Sequence, residues 1–154
     1  MGSCCSQLNQ PSIPDNLDPK SLPAFIPRVI RGRVIKCYDG DTITIAAYLP
    51  YKNSQLYKFS VRLAGIDCPE LRTDNKNEKA IAIKARDILS SRILGKTVSL
   101  KYHSTEKYGR ILADVIYKNE SCGDWLIKQR LAVPYGGKTK IFPTNWVKYH
   151  NNSI

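Results

Sequence analysis

Histidine is nearly absent from the 154 residues. Only His103 and His150 occur, beside five cysteines at 4, 5, 37, 68 and 122. No C-x-x-C pair is among them, so no zinc site assembles at the usual ligand spacings. An odd number of thiols without a spaced framework also argues against a disulfide scaffold and suits a reducing compartment. The sequons at Asn119 and Asn151 carry no weight there. Apolar runs approaching the roughly 18 residues that span a bilayer are missing. The opening MGSCCSQLNQ has neither the basic nor the apolar region of a secretory signal. Acidic residues are scarce: 13 Asp and Glu stand against 24 Lys and Arg, a net charge of +11.

That charge is unevenly spread. Residues 1–30 balance Lys20 and Arg28 against Asp15 and Asp18, so the whole excess lies in residues 31–154. Hydrophobic residues make up 42%, enough for a core and for one domain. A compact domain with such a surplus repels itself unless it works on a polyanion, either nucleic acid or an acidic membrane. A basic protein kept soluble by its charge is the plain alternative.

Five prolines between residues 7 and 27 exclude helix and central strand, so residues 1–28 read as an N-terminal segment with an extended spacer. The pattern then turns to β. Strands are expected at Val29–Lys36, Thr42–Tyr48 and Leu56–Ala64, with an Asp39-Gly40 hairpin-type turn between the first two. A helix follows, with N-caps at Thr73, Asp74 or Asn75, an apolar stripe of Ala80, Ile81, Ala85, Ile88 and Leu89, and a stop at Gly95. Strands at Thr97–Tyr102 and Ile111–Tyr117 flank a turn at Tyr108-Gly109, and a short helix covers Asp124–Leu131. The fold class is α+β, mainly β, with a five-stranded sheet. Residues 29–142 form the domain, and residues 143–154 a short tail that is irregular or weakly helical.

Four groups can carry chemistry. Asp41 shares the buried phase of Ile43 and Ile45, which is costly for a carboxylate unless it is paired or binds a cation; Asp39-Gly40-Asp41 as a simple turn remains open. Arg62 precedes Asp67-Cys68-Pro69-Glu70, whose carboxylates either favour a helix N-terminus or, with Asp41, make a hard oxygen site for Ca²⁺ or Mg²⁺. Lys107-Tyr108-Gly109-Arg110 is either a polar turn or a turn that grips phosphate and stacks a base. Tyr135-Gly136-Gly137-Lys138 is either a basic loop or a similar contact.

In order, Tyr38-Asp39-Gly40-Asp41-Thr42, Val61 to Glu70 and Lys107-Tyr108-Gly109-Arg110 resemble the staphylococcal nuclease (thermonuclease-like) family. Leu126 to Ala132 resembles its later segment. The resemblance implies an OB-fold barrel and Ca²⁺-dependent cleavage of phosphodiester bonds in DNA and RNA. By matched position it implies Asp41 and Asp67 as metal carboxylates with the main-chain carbonyl of Cys68. Arg62 and Arg110 would hold the scissile phosphate, and Glu70 would orient or deprotonate the attacking water. Lys107, Tyr108 and Tyr135 would contact nucleotide. Cys68 stands where the best-known member has Thr, an exchange that a backbone ligand tolerates.

Two rivals stand beside an active nuclease acting as a monomer on single-stranded DNA or RNA. One is a non-catalytic OB-fold nucleic-acid module; the other is a basic peripheral protein on anionic lipid. Finally, Met1 to Ser6 fits M-G-x-x-x-[ST], making Gly2 a myristoylation site and Cys4 and Cys5 palmitoylation sites. Two acyl chains anchor stably where one does not. The expected location is the cytosolic face of a membrane in a eukaryotic cell, or in a cell infected by a eukaryotic virus; the alternative is the cytoplasm.

Overall fold

A computed structural model describes residues 11–105, 109–137, 139 and 142–152. Strands β1 (Arg31–Cys37), β2 (Thr42–Tyr48) and β3 (Leu56–Leu63) precede a short β4 (Ile66–Asp67) and helix α1 (Lys76–Ile93). Then come β5 (Thr97–Thr105), β6 (Ile111–Tyr117), β7 (Glu120–Ser121), α2 (Cys122–Lys128), β8 (Val133–Pro134) and α3 (Trp146–His150). The main sheet runs β3-β2-β1-β5-β6-β7, and a parallel pairing of β3 with β6 closes five of its strands into a barrel. This is the expected OB-type architecture.

Alternation decides which residues face inward. In β1, Arg31 and Arg33 are exposed while Gly32 and Val34 are buried. In β3, Val61 and Leu63 point to the core and Arg62 to the other face. Ile43, Ile45, Leu63 and Ile111 are fully buried, each contributing about 1.5–3 kcal/mol relative to exposure. Helix α1 covers this core with Ile81, Ala85, Leu89 and Ile93. Its cap is Asn75, whose side chain accepts the N–H groups of Asn77 and Glu78, and Gly95 at φ +72° ends it.

Several expectations shift. The first strand starts two residues late, the second helix runs Cys122–Lys128 rather than Asp124–Leu131 with Ser121 as its cap, and Ala80 is exposed. Asp39-Gly40 does turn the chain between antiparallel β1 and β2, with the Tyr38 N–H donating to the Thr42 carbonyl at 2.8 Å, although neither residue has positive φ. Gly40 is required by packing instead: a Cβ there would stand 2.8 Å from Cys68 Sγ and 2.9 Å from Ala85 Cβ. Beyond Pro143, α3 packs on α1, and Trp146 joins the core between the rings of Phe142 and Tyr149. A five-residue helix is too short to show a period, so its apolar face was hidden in the sequence.

Candidate functional site

Strand register assembles one end of the barrel. Thr42 on β2 pairs with Arg62 on β3, which pairs with Leu112 on β6. Asp41 and Arg110, each one residue ahead of β2 and β6, are therefore delivered beside Arg62. On the far side, β4 pairs with β8, placing Asp67 opposite Val133, while the N–H of Tyr135 donates to the Gly65 carbonyl at 2.9 Å. The result is a pocket of about 240 Å³ whose lining includes Asp41, Arg62, Asp67, Cys68, Glu70, Arg110 and Tyr135. The structure thus brings together every site residue expected between positions 41 and 70, together with Arg110 and Tyr135. Lys107 and Tyr108 lie outside the described residues, as do Gly2, Cys4 and Cys5.

Arg62 is the hub. Its Nη1 donates to Asp41 Oδ2 at 2.5 Å, and its Nη2 donates to Asp67 Oδ1 at 2.9 Å and to the Ile66 carbonyl at 3.4 Å. The planar fork aims a separate nitrogen at each carboxylate, a fixed two-pronged geometry that an ammonium lacks. Both carboxylates are buried, Asp41 at 4% and Asp67 at 2% exposure, so their partners govern their cost. Burial and the neighbouring Asp39 push the Asp41 carboxyl up to about 6, against the opposing pull of Arg62. Burial alone would lower the Arg62 guanidinium, but Asp41 and Asp67 outweigh it and raise it. Burial pushes the Cys68 thiol well above its ordinary value, so this residue has its main-chain carbonyl, not a thiolate, to offer.

Three residues escaped sequence reasoning. Asp39 lines the pocket and accepts the Asp41 N–H at 3.2 Å. Thr42 donates its hydroxyl to Asp41 Oδ1 at 3.0 Å. Glu78, in the first turn of α1, accepts the backbone N–H of Glu70 at 3.1 Å and the hydroxyl of Thr73 at 3.2 Å. An acidic first turn was the available signal for Glu78, but it reads as a helix cap.

Asp39, Asp41, Asp67 and Glu70 face the pocket against the two guanidiniums of Arg62 and Arg110. A strongly basic chain therefore has a locally acidic cavity of hard oxygen donors. Among the described residues, no three His, Cys, Asp or Glu side chains gather tightly enough to hold a metal ion; the Arg62 guanidinium bridges the two buried carboxylates.

A family model described as "Staphylococcal nuclease homologue" matches residues 60–148. A Haemophilus influenzae protein named an "uncharacterized endonuclease" is 34% identical over 103 residues, covering 67% of this chain and 51% of that protein. An Escherichia coli protein of the same description is 34% identical over 86 residues, covering 56% of this chain and 48% of its own. A "probable endonuclease" of Saccharomyces cerevisiae is 37% identical over 97 residues, covering 58% and 35%. The chain spans about half or less of the length of the curated relatives it matches.

Proposed function

The chain belongs to the staphylococcal nuclease homologues, and from that membership we propose that it hydrolyses phosphodiester bonds of DNA or RNA at the pocket around Arg62. The observation that carries this reading is the pair of guanidiniums, Arg62 and Arg110, lining one pocket with buried Asp41 and Asp67 and rim-exposed Glu70. In-line attack by water forms one P–O bond as another breaks, and negative charge grows on the equatorial oxygens. The guanidiniums of Arg62 and Arg110, both on the pocket wall, stabilise that charge. Glu70 orients the attacking water and takes its proton, and the departing oxygen is protonated from solvent. A Ca²⁺ ion held by Asp41, Asp67 and the Cys68 carbonyl would supply further electrostatic stabilisation of the phosphate.

Single strands suit the site because Tyr135, half-buried on the pocket wall, offers a ring to an unstacked base. The chain acts as a monomer, tethered to the cytosolic face of a membrane by acyl groups on Gly2, Cys4 and Cys5; the M-G-x-x-x-[ST] pattern supports this part of the reading. Purified protein given single-stranded DNA with Ca²⁺, then with a Ca²⁺ chelator, tests the nuclease. Cleavage that stops with chelator is expected. Tight binding without cleavage would replace the reading with a non-catalytic module.

A further inference from the structure

Strand β2 carries Thr42 of the catalytic end and, roughly 20 Å along it, Tyr48 at the other end of the barrel. There a groove of about 950 Å³ is walled by Arg28, Arg31 and Arg33 together with Ile30, Tyr48 and Leu56. Gly32 and Ala46 also line it. No carboxylate lines it among the described residues. We propose that this face docks the domain on an anionic phospholipid bilayer, independently of any acyl chain.

The apolar side chains select the partner. Ile30 is 71% exposed, Tyr48 65% and Leu56 57%, large apolar surfaces gathered around one groove rather than scattered. Away from the groove lining, Tyr51 and Tyr57 share a hydroxyl hydrogen bond at 3.2 Å and keep exposed rings, and Phe25 and Ile26 are exposed in the segment before β1. Arginines with tyrosines and protruding aliphatics match the layered chemistry of a bilayer interface. Headgroup phosphates take the guanidiniums, ring hydroxyls sit at headgroup level, and Ile30 and Leu56 reach the acyl boundary. A nucleic-acid strand would satisfy the arginines but leave the aliphatic side chains in water, since they present no ring to a base. Charge complementarity with an anionic leaflet does the steering. Docking by this end leaves the catalytic pocket facing away from the lipid, open to substrate.

Full-length Gly2→Ala protein, which carries no myristoyl group, is sedimented with vesicles of phosphatidylserine and phosphatidylcholine, and with phosphatidylcholine alone. Binding to the first and not the second is expected. The Arg28→Gln/Arg31→Gln/Arg33→Gln variant should bind about a hundredfold more weakly, from about fivefold per charge. Ile30→Ser/Leu56→Ser should lose about tenfold or more through lost apolar burial. A Tyr48→Trp variant should show a blue-shifted emission on adding the anionic vesicles. Both multiple variants should melt like the parent and cleave single-stranded DNA at its rate, which keeps failure of docking distinct from failure of the nuclease reading. The proposal is overturned if the parent stays in the supernatant, or if both variants sediment as it does. It is also overturned if they lose DNA affinity while keeping vesicle binding.

Discussion

The backbone N–H of Glu70 donates to the side-chain carboxylate of Glu78, 3.1 Å away in the first turn of α1. The residue proposed to take a proton from water is thus held by a helix whose other face fills the core. Glu78→Ala should lower kcat by about tenfold to a hundredfold with little change in KM, because orientation is lost rather than affinity. Glu78→Gln keeps an acceptor oxygen and should recover most of the rate. Steady-state kinetics on a single-stranded oligonucleotide separate the two; a Glu78→Ala enzyme with normal kcat would remove Glu78 from the positioning of Glu70.

Arg110 stands just before β6, partly exposed on the pocket wall. Arg110→Lys keeps the charge and gives up the two-pronged contact with phosphate. The loss expected is about 10²-fold in kcat, with an unchanged melting temperature. Unimpaired cleavage by the lysine variant would show that Arg110 touches no transition-state oxygen.

Arg62 differs because it also holds the barrel end together. Arg62→Met leaves Asp41 and Asp67 buried without their shared cation and should destabilise the domain by about 3–5 kcal/mol. Millimolar Ca²⁺ should restore part of the melting temperature of that variant, since a cation bound only by the folded state stabilises it by mass action. Thermal denaturation with Ca²⁺ and with chelator measures the difference. A melting temperature indifferent to Ca²⁺ would speak against the Asp41–Asp67 donor pair.

Much of this site was legible beforehand, and the illegible parts have physical reasons. Asp41, Arg62, Asp67 and Arg110 were found because three motifs in order resemble the staphylococcal nuclease family; a carboxylate in a buried phase and paired acids by themselves left a simple turn or a helix entry open. Glu78 left only an ambiguous one: its partner is a backbone N–H eight residues away, and its position is also where a helix favours acid for its own sake. Asp39-Gly40 was legible as a turn but not as a point of packing, because nothing in the dipeptide announces the close approach to Cys68 and Ala85. The groove at Tyr48 was invisible because its lining comes from four separate segments, joined only when β1 pairs with β2 and β5, and β2 with β3.

Cys122 opens α2, fully buried, and burial pushes its thiol from 9.0 to about 11, with Arg92 opposing and Asp114 and Glu120 reinforcing. The folded value lies above that of the unfolded chain, so this group's contribution is fully present below pH 9. It is lost as pH rises from 9 towards 11, where the unfolded thiol ionises and the folded one resists. Urea denaturation across that window should show stability falling, and Cys122→Ala should flatten the slope even though the substitution lowers stability at neutral pH. Equal slopes in the two proteins would mean that the thiol titrates alike in both states.

The segment from Met1 to Ser6 has three features of the proposed acylation pattern: a glycine after Met1, a hydroxyl residue at position six, and two adjacent cysteines. A myristoyl chain alone binds membranes marginally, and a palmitoyl chain on Cys4 or Cys5 would make attachment stable. A spacer of about 20 residues, treated as a coil, would set the barrel about 25 Å from the anchor. That distance leaves room for the Tyr48 face to meet the same bilayer. In eukaryotic cells the wild type should remain with membranes through a high-salt wash, which strips contacts made by arginine but not inserted acyl chains. Gly2→Ala should wash off, and the Cys4→Ser/Cys5→Ser variant should be released more readily than wild type. A wild-type protein that washes off as completely as Gly2→Ala would eliminate the acyl anchor and leave lipid docking by the barrel to stand or fall alone.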